Sequence, residues 1–192
     1  AINVSGQDQP KNLKEAFKAD WLIGTWESTN DDGQVSGQTF GWKMQDVLMV
    51  RESTGNDGKV RSFATISLDK DAGKVLMHYH STGNGTSISE LKVDGDKVIS
   101  VGNWKRGKLS QEEVESRIES FVESRLASGA VQEEGVAELK QNVINYYNNR
   151  KTSGTRKITY EKQGADKMVT TYANKDESGQ FVDGDPITWT RK

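Results

Sequence analysis

No cysteine occurs in the 192 residues, which excludes disulfides, thiol nucleophiles and cysteine-ligated metals. Histidine is nearly absent too, with two copies, so imidazole chemistry is confined to one place. Hydrophobic residues make up only 33% of the chain, and no apolar run approaches the roughly 20 residues of a membrane span. A net charge of −2 supplies no basic field for nucleic acid or anionic lipid. Missing as well are a Gly-x-Ser-x-Gly elbow, a P-loop and a dinucleotide fingerprint. Covalent catalysis and nucleotide chemistry therefore have no support, and no cofactor is implied.

Glycine is plentiful, at 19 residues, and charged residues make up 28%. That balance suits strands that alternate in polarity better than a sheet buried on both faces. The length allows a single domain with a real core, and 1–192 is read as one. Residues 1–10 form a polar, flexible lead-in that starts at Ala1 without Met. It reads either as the end left by signal-peptide removal or as a trimmed chain, and the expectation is a periplasmic or secreted protein.

Asn12-Leu-Lys-Glu15 has the spacing of a helix N-cap, and Leu13, Ala16, Phe17 and Trp21 recur at helical intervals. A short amphipathic helix thus runs into Trp21-Leu-Ile-Gly-Thr-Trp-Glu27. Turn chemistry then punctuates the chain at Asn30–Gly33, Gly55–Gly58, Asp69–Gly73, Gly83–Gly85 and Asp94–Asp96. Asp69-Lys-Asp-Ala-Gly73 faintly resembles a calcium loop, but it lacks the later acidic ligands and reads as a hairpin. The runs between the turns predict seven strands from Leu22 to Trp104, joined as an antiparallel meander. Phe40, Trp42 and Met44 share one face of their strand, as do Val75, Met77 and Tyr79.

The pattern breaks at Ser110-Gln-Glu-Glu113, a capping box. Residues 110–149 predict a helical hairpin, with Val114, Ile118, Phe121, Val122 and Leu126 on the buried face of its first helix. Its second helix runs from about Val131 to Tyr147 and buries Val136, Leu139, Val143 and one or both of Tyr146 and Tyr147. Eight glutamates stand there against Arg117, Arg125 and Lys140. Three more strands follow, at Thr155–Lys162, Lys167–Asn174 and Ile187–Arg191, for about ten in all.

Gly24-Thr-Trp26 on a first strand, behind an amphipathic segment, resembles the start of lipocalins and fatty-acid-binding proteins, the calycin superfamily. That resemblance implies that Trp26 packs at the closed end of a barrel with a cation from a late strand across it. Arg191 is the matching candidate and Lys192 the fallback. Phe40-Gly-Trp-Lys-Met44, Leu68–Val75, Gly83-Asn-Gly85 and Ile187-Thr-Trp-Thr-Arg191 resemble bacterial calycin-like domains of unknown function. The acidic hairpin departs from both better-known plans, so neither family's ligand carries over. The expected fold is all-β: an up-and-down antiparallel calycin-like barrel of about ten strands, with a short N-terminal helix and an inserted helical hairpin.

Phe40, Trp42, Met44, Met49, Met77 and Tyr79 either line a ligand cavity or fill the barrel solid. His78 and His80, two apart on a strand, aim their imidazoles to one face and are candidate ligands to a cavity molecule or a metal such as Zn²⁺. Glu52 or Glu90 is the candidate third ligand; the bland alternative is two half-buried histidines hydrogen-bonded to strand neighbours or solvent. Haem held by one late histidine is disfavoured, because the late strands have none. Trp104, where strand seven meets the insertion, is a candidate anchor for the helices. The leading expectation is a non-enzymatic binding protein for a small apolar or aromatic molecule. A metal-dependent enzyme using His78 and His80, or an interaction module docking through the acidic hairpin, stands as the alternative.

Overall fold

The computed structural model describes residues 9–31 and 33–192, so most of the expected lead-in over 1–10 lies outside the described residues. Asn12 caps a single helical turn, α1 (Leu13–Ala16), where its side-chain oxygen accepts from the Glu15 amide at 2.9 Å. Leu13, Phe17 and Leu22 point away from water into the barrel core. The Leu13 amide also donates to Asp46 O at 3.0 Å, tying this segment to the turn after the second strand. A 3-10 turn at Asp20–Leu22 delays the first strand, β1 (Gly24–Thr29), by two residues relative to expectation. Its carbonyl at Leu22 is taken by the Trp26 indole N–H at 2.8 Å.

The meander continues through β2 (Val35–Met44), β3 (Leu48–Thr54), β4 (Val60–Asp69), β5 (Lys74–Ser81), β6 (Gly85–Asp94) and β7 (Lys97–Arg106). After the insertion come β8 (Ser153–Lys162), β9 (Lys167–Lys175), β10 (Phe181–Asp183) and β11 (Ile187–Arg191). Each strand from β1 to β9 pairs antiparallel with the next, and β11 joins β9 back to β1. The result is a closed antiparallel barrel of ten strands, β1–β9 and β11, with no free edge around the ring. The three-residue β10 was not expected. It occupies the same side of β9 as β11, farther along, pairing Phe181 with Lys175 and Asp183 with Ala173.

Residues up to Arg106 together with Ser153–Lys192 form one compact unit, and Gly107–Thr152 form another. The second unit contains α2 (Gln111–Ala127) and α3 (Val136–Asn148), which contact each other. The capping box is complete: Ser110 Oγ accepts from the Glu113 amide at 3.2 Å, and Glu113 accepts from the Ser110 amide at 2.8 Å. Of the expected apolar face, Ile118 and Val122 are buried, one turn apart, whereas Phe121 and Leu126 are 39% and 38% exposed. Phe121 instead carries Arg125 over its ring, 5.2 Å away. The second helix begins at Val136, later than predicted, because Glu133–Gly135 forms a 3-10 turn first.

Candidate functional site

Alternation along ten tilted strands sends every second side chain inward, so the barrel interior can be read strand by strand. One end is packed solid. Trp26, Phe40, Met49, Ile66, Met77 and Met168 are all buried there, with α1 seated among them. Arg191 lies over the Trp26 ring at 4.3 Å from its centroid and donates to Ile23 O at 2.5 Å and Trp21 O at 2.7 Å. Those carbonyls belong to the segment entering β1, so one guanidinium joins the first and last strands and satisfies backbone acceptors at the closed end.

Toward the other end the inward side chains shrink and turn polar. Ser53, Ser62, Ser87 and Ser89 replace the bulky residues, and Gly102 follows on β7. A Cβ at Gly102 would stand 2.2 Å from the Ile88 carbonyl oxygen, so only glycine fits between those strands. The volume that these small residues leave is a cavity of about 850 Å³ within the barrel unit. Its aromatic wall is Tyr79, Trp104, Tyr172 and Trp189, with Met77 and Ile158 as aliphatic contacts.

Three arginines line this cavity, Arg51, Arg156 and the exposed Arg61, which is paired with Asp57 at 2.8 Å. Arg51, on β3, is only 6% exposed. Its Nε donates to Gln38 Oε1 at 3.1 Å, and its guanidinium carbon is 5.8 Å from the Phe40 ring centroid. The phenols of Tyr160, Tyr172 and Tyr79 are grouped around it. No carboxylate pairs with Arg51 among the described residues. Burial pushes the Tyr160 hydroxyl up to about 12, with Arg51 pulling the other way. Half-buried Arg156, on β8, donates from Nε to Asn174 Oδ1 at 3.1 Å and stands 5.3 Å from the Trp104 ring centroid. Arg106 approaches the same ring at 4.4 Å. Trp104 therefore lies on the cavity wall between cations, and nearby Gly154 leaves its ring room, since a Cβ there would sit 3.2 Å from it.

Of the candidates drawn from sequence, Met77 and Tyr79 line the cavity. Phe40 and Met49 are buried in the packed core beneath, and Trp42 packs against that core. Met44 follows a bulge in the β2–β3 pairing and is 57% exposed. His78 and His80 alternate with Met77 and Tyr79, which puts them on the outer face of β5. They stand across from Ile88 and Thr86 on β6 and from Thr65 and Phe63 on β4. Glu90 is committed to Lys74 at 2.8 Å and Lys92 at 3.3 Å, and the Lys74 hydrogen bond holds its carboxyl below the usual carboxylate range. Among the described residues no group of three His, Asp or Glu could hold a metal ion. Arg51, Gln38, Arg156 and Tyr172 were not singled out from sequence. The available signal was parity: Arg51 is two residues from Met49, and Gln38 two from Phe40, so each polar side chain shares a face with a core residue.

No protein-family model matches the chain, and no curated protein matches it. Among solved structures it is similar to one described as the crystal structure of Rv2717c from M. tuberculosis. That likeness has 12% identity over 92% of this chain and 97% of the other, with a TM-score of 0.44.

Proposed function

We propose that this protein is a non-enzymatic binding protein that holds one small molecule inside its barrel. The observation that carries this is the cavity of about 850 Å³, lined by side chains of the barrel strands and of the loops that join them. Its size falls within the roughly 300–1,000 Å³ common for small-molecule sites. The wall extends the expected ligand from apolar or aromatic to amphipathic: four aromatic rings offer stacking surface, while serines and arginines offer polar contacts. Binding suits this wall better than catalysis. Both histidines lie on the outer face, so no imidazole is available to activate the cavity serines. Kinship with the calycins belongs to the same proposal, supported by Arg191 stacked on Trp26 behind the Gly24-Thr-Trp26 motif.

Titration with N-phenyl-1-naphthylamine, an uncharged fluorophore, tests this directly. Saturable binding of one probe per chain, with quenching of tryptophan emission from Trp104 and Trp189, is expected. Ser87→Phe, which fills the cavity from β6, should abolish it while leaving the circular dichroism of the barrel intact. A folded Ser87→Phe protein that binds the probe as well as the parent would overturn the proposal.

A further inference from the structure

We propose that the inner end of the cavity is an oxyanion site built on Arg51, and that the ligand is an organic carboxylate with an aromatic or aliphatic body. This rests on the barrel-binding proposal above and names the chemistry that the site selects.

A guanidinium removed from water is costly unless something compensates its charge. Arg51 is 94% buried by its 6% exposure, yet its nearest groups are a neutral amide and neutral phenols. Dipoles can keep such a group charged, but they leave the interior with a positive charge facing an open volume. The acidic residues on the cavity lining, Asp31 and Asp185, are solvent-exposed loop residues and do not pair with Arg51. The other lining arginine inside the barrel, Arg156, adds positive charge rather than cancelling it.

Arg51 Nε is occupied by Gln38 Oε1, and the Tyr172 hydroxyl lies alongside the guanidinium. A guanidinium has five N–H donors, so most remain for a ligand, and the two terminal nitrogens present the spacing that a planar carboxylate accepts bidentately. An oxyanion in the cavity would answer the Arg51 charge, while Trp189, Trp104 and Ile158 would enclose the rest of the molecule.

The test compares 2-naphthoate with 2-naphthamide, which share a body and differ in charge, by calorimetry on the full chain at pH 7.5. The wild-type protein should bind naphthoate about tenfold or more tightly than naphthamide, the scale of a charge-assisted pair. Arg51→Met should bring the two within about twofold of each other with the naphthamide affinity retained, and Arg51→Lys should fall between. Because Arg51→Met removes a buried charge in favour of an apolar side chain, the fold should hold. The wild-type ratio and the Lys variant decide the matter even if the Met variant does not fold. Equal affinity of the two probes for the wild-type protein would overturn the oxyanion site while leaving the cavity proposal standing. Binding of neither probe, nor of the uncharged fluorophore, would overturn both.

Discussion

At Gly24 the backbone has φ of +130°, and a Cβ there would lie 2.5 Å from Arg191 Nη1. The glycine of the Gly-x-Trp motif is therefore required twice, by a conformation that L side chains avoid and by the guanidinium that fills its place. Trp26 is required for mass: its ring is fully buried beneath Arg191 with its N–H satisfied by Leu22 O. Trp26→Ala should cost on the order of 3–5 kcal/mol, read as a lower midpoint in urea denaturation with an unchanged slope. Tyr160 makes a different prediction. Its hydroxyl is held up at about 12 by burial, so the neutral form is favoured in the folded protein over the unfolded one. Its contribution is fully present below the unfolded value of about 10 and is lost as pH rises through about 12. The loss should be of order 2–3 kcal/mol for this fully buried group. It appears as a stability drop between pH 9 and 12 that is smaller in Tyr160→Phe. Equal drops in the two proteins would contradict it.

Among the elements, the β7–β8 pair shows how the helices are accommodated. The two strands pair without interruption from Lys97↔Glu161 to Lys105↔Ser153, so the second unit is spliced into what is geometrically a hairpin turn. Replacing residues 107–151 with Asn-Gly should give a type I′ connection between Arg106 and Thr152. The shortened chain should still unfold cooperatively, with far-ultraviolet dichroism that loses its helical component and keeps the strand signal. A chain that fails to fold would mean that the barrel depends on the insertion. β10 lies at the opposite extreme of visibility. Three residues with Gly184, Asp185 and Pro186 behind them carry no alternation to detect. The strand exists because β9 is longer than β11 and has backbone groups left to pair.

For the whole molecule, strand count and chain order were legible because turns and alternation are local properties. Gly and Asn at positive φ mark the ends of strands, as at Asn84, Gly73 and Gly95, and the two-residue period marks their length. The capping box at Ser110 announced the insertion in the same way. What lay inside was harder to see. Ring size sets the interior volume, and side-chain volumes from all ten strands decide how much of it is filled. Large apolar residues drew attention as cavity candidates, yet large residues are the ones that fill space. Phe40 and Met49 pack the closed end, and the open volume falls where Ser53, Ser87, Ser89 and Gly102 come together from three strands. The absence of bulk is spread over distant positions, so no stretch of sequence displays it. The same holds for Arg51. By sequence it is one of 26 basic residues, and only closure of the barrel brings Gln38, Tyr160 and Tyr172 around it without a carboxylate. The sequence by itself thus determined the elements, their order and the all-β plan, through propensities and periods that act within a few residues. Tertiary structure alone decided where the barrel is solid, where it is open and which charge faces the opening, because each depends on side chains brought together by ring closure.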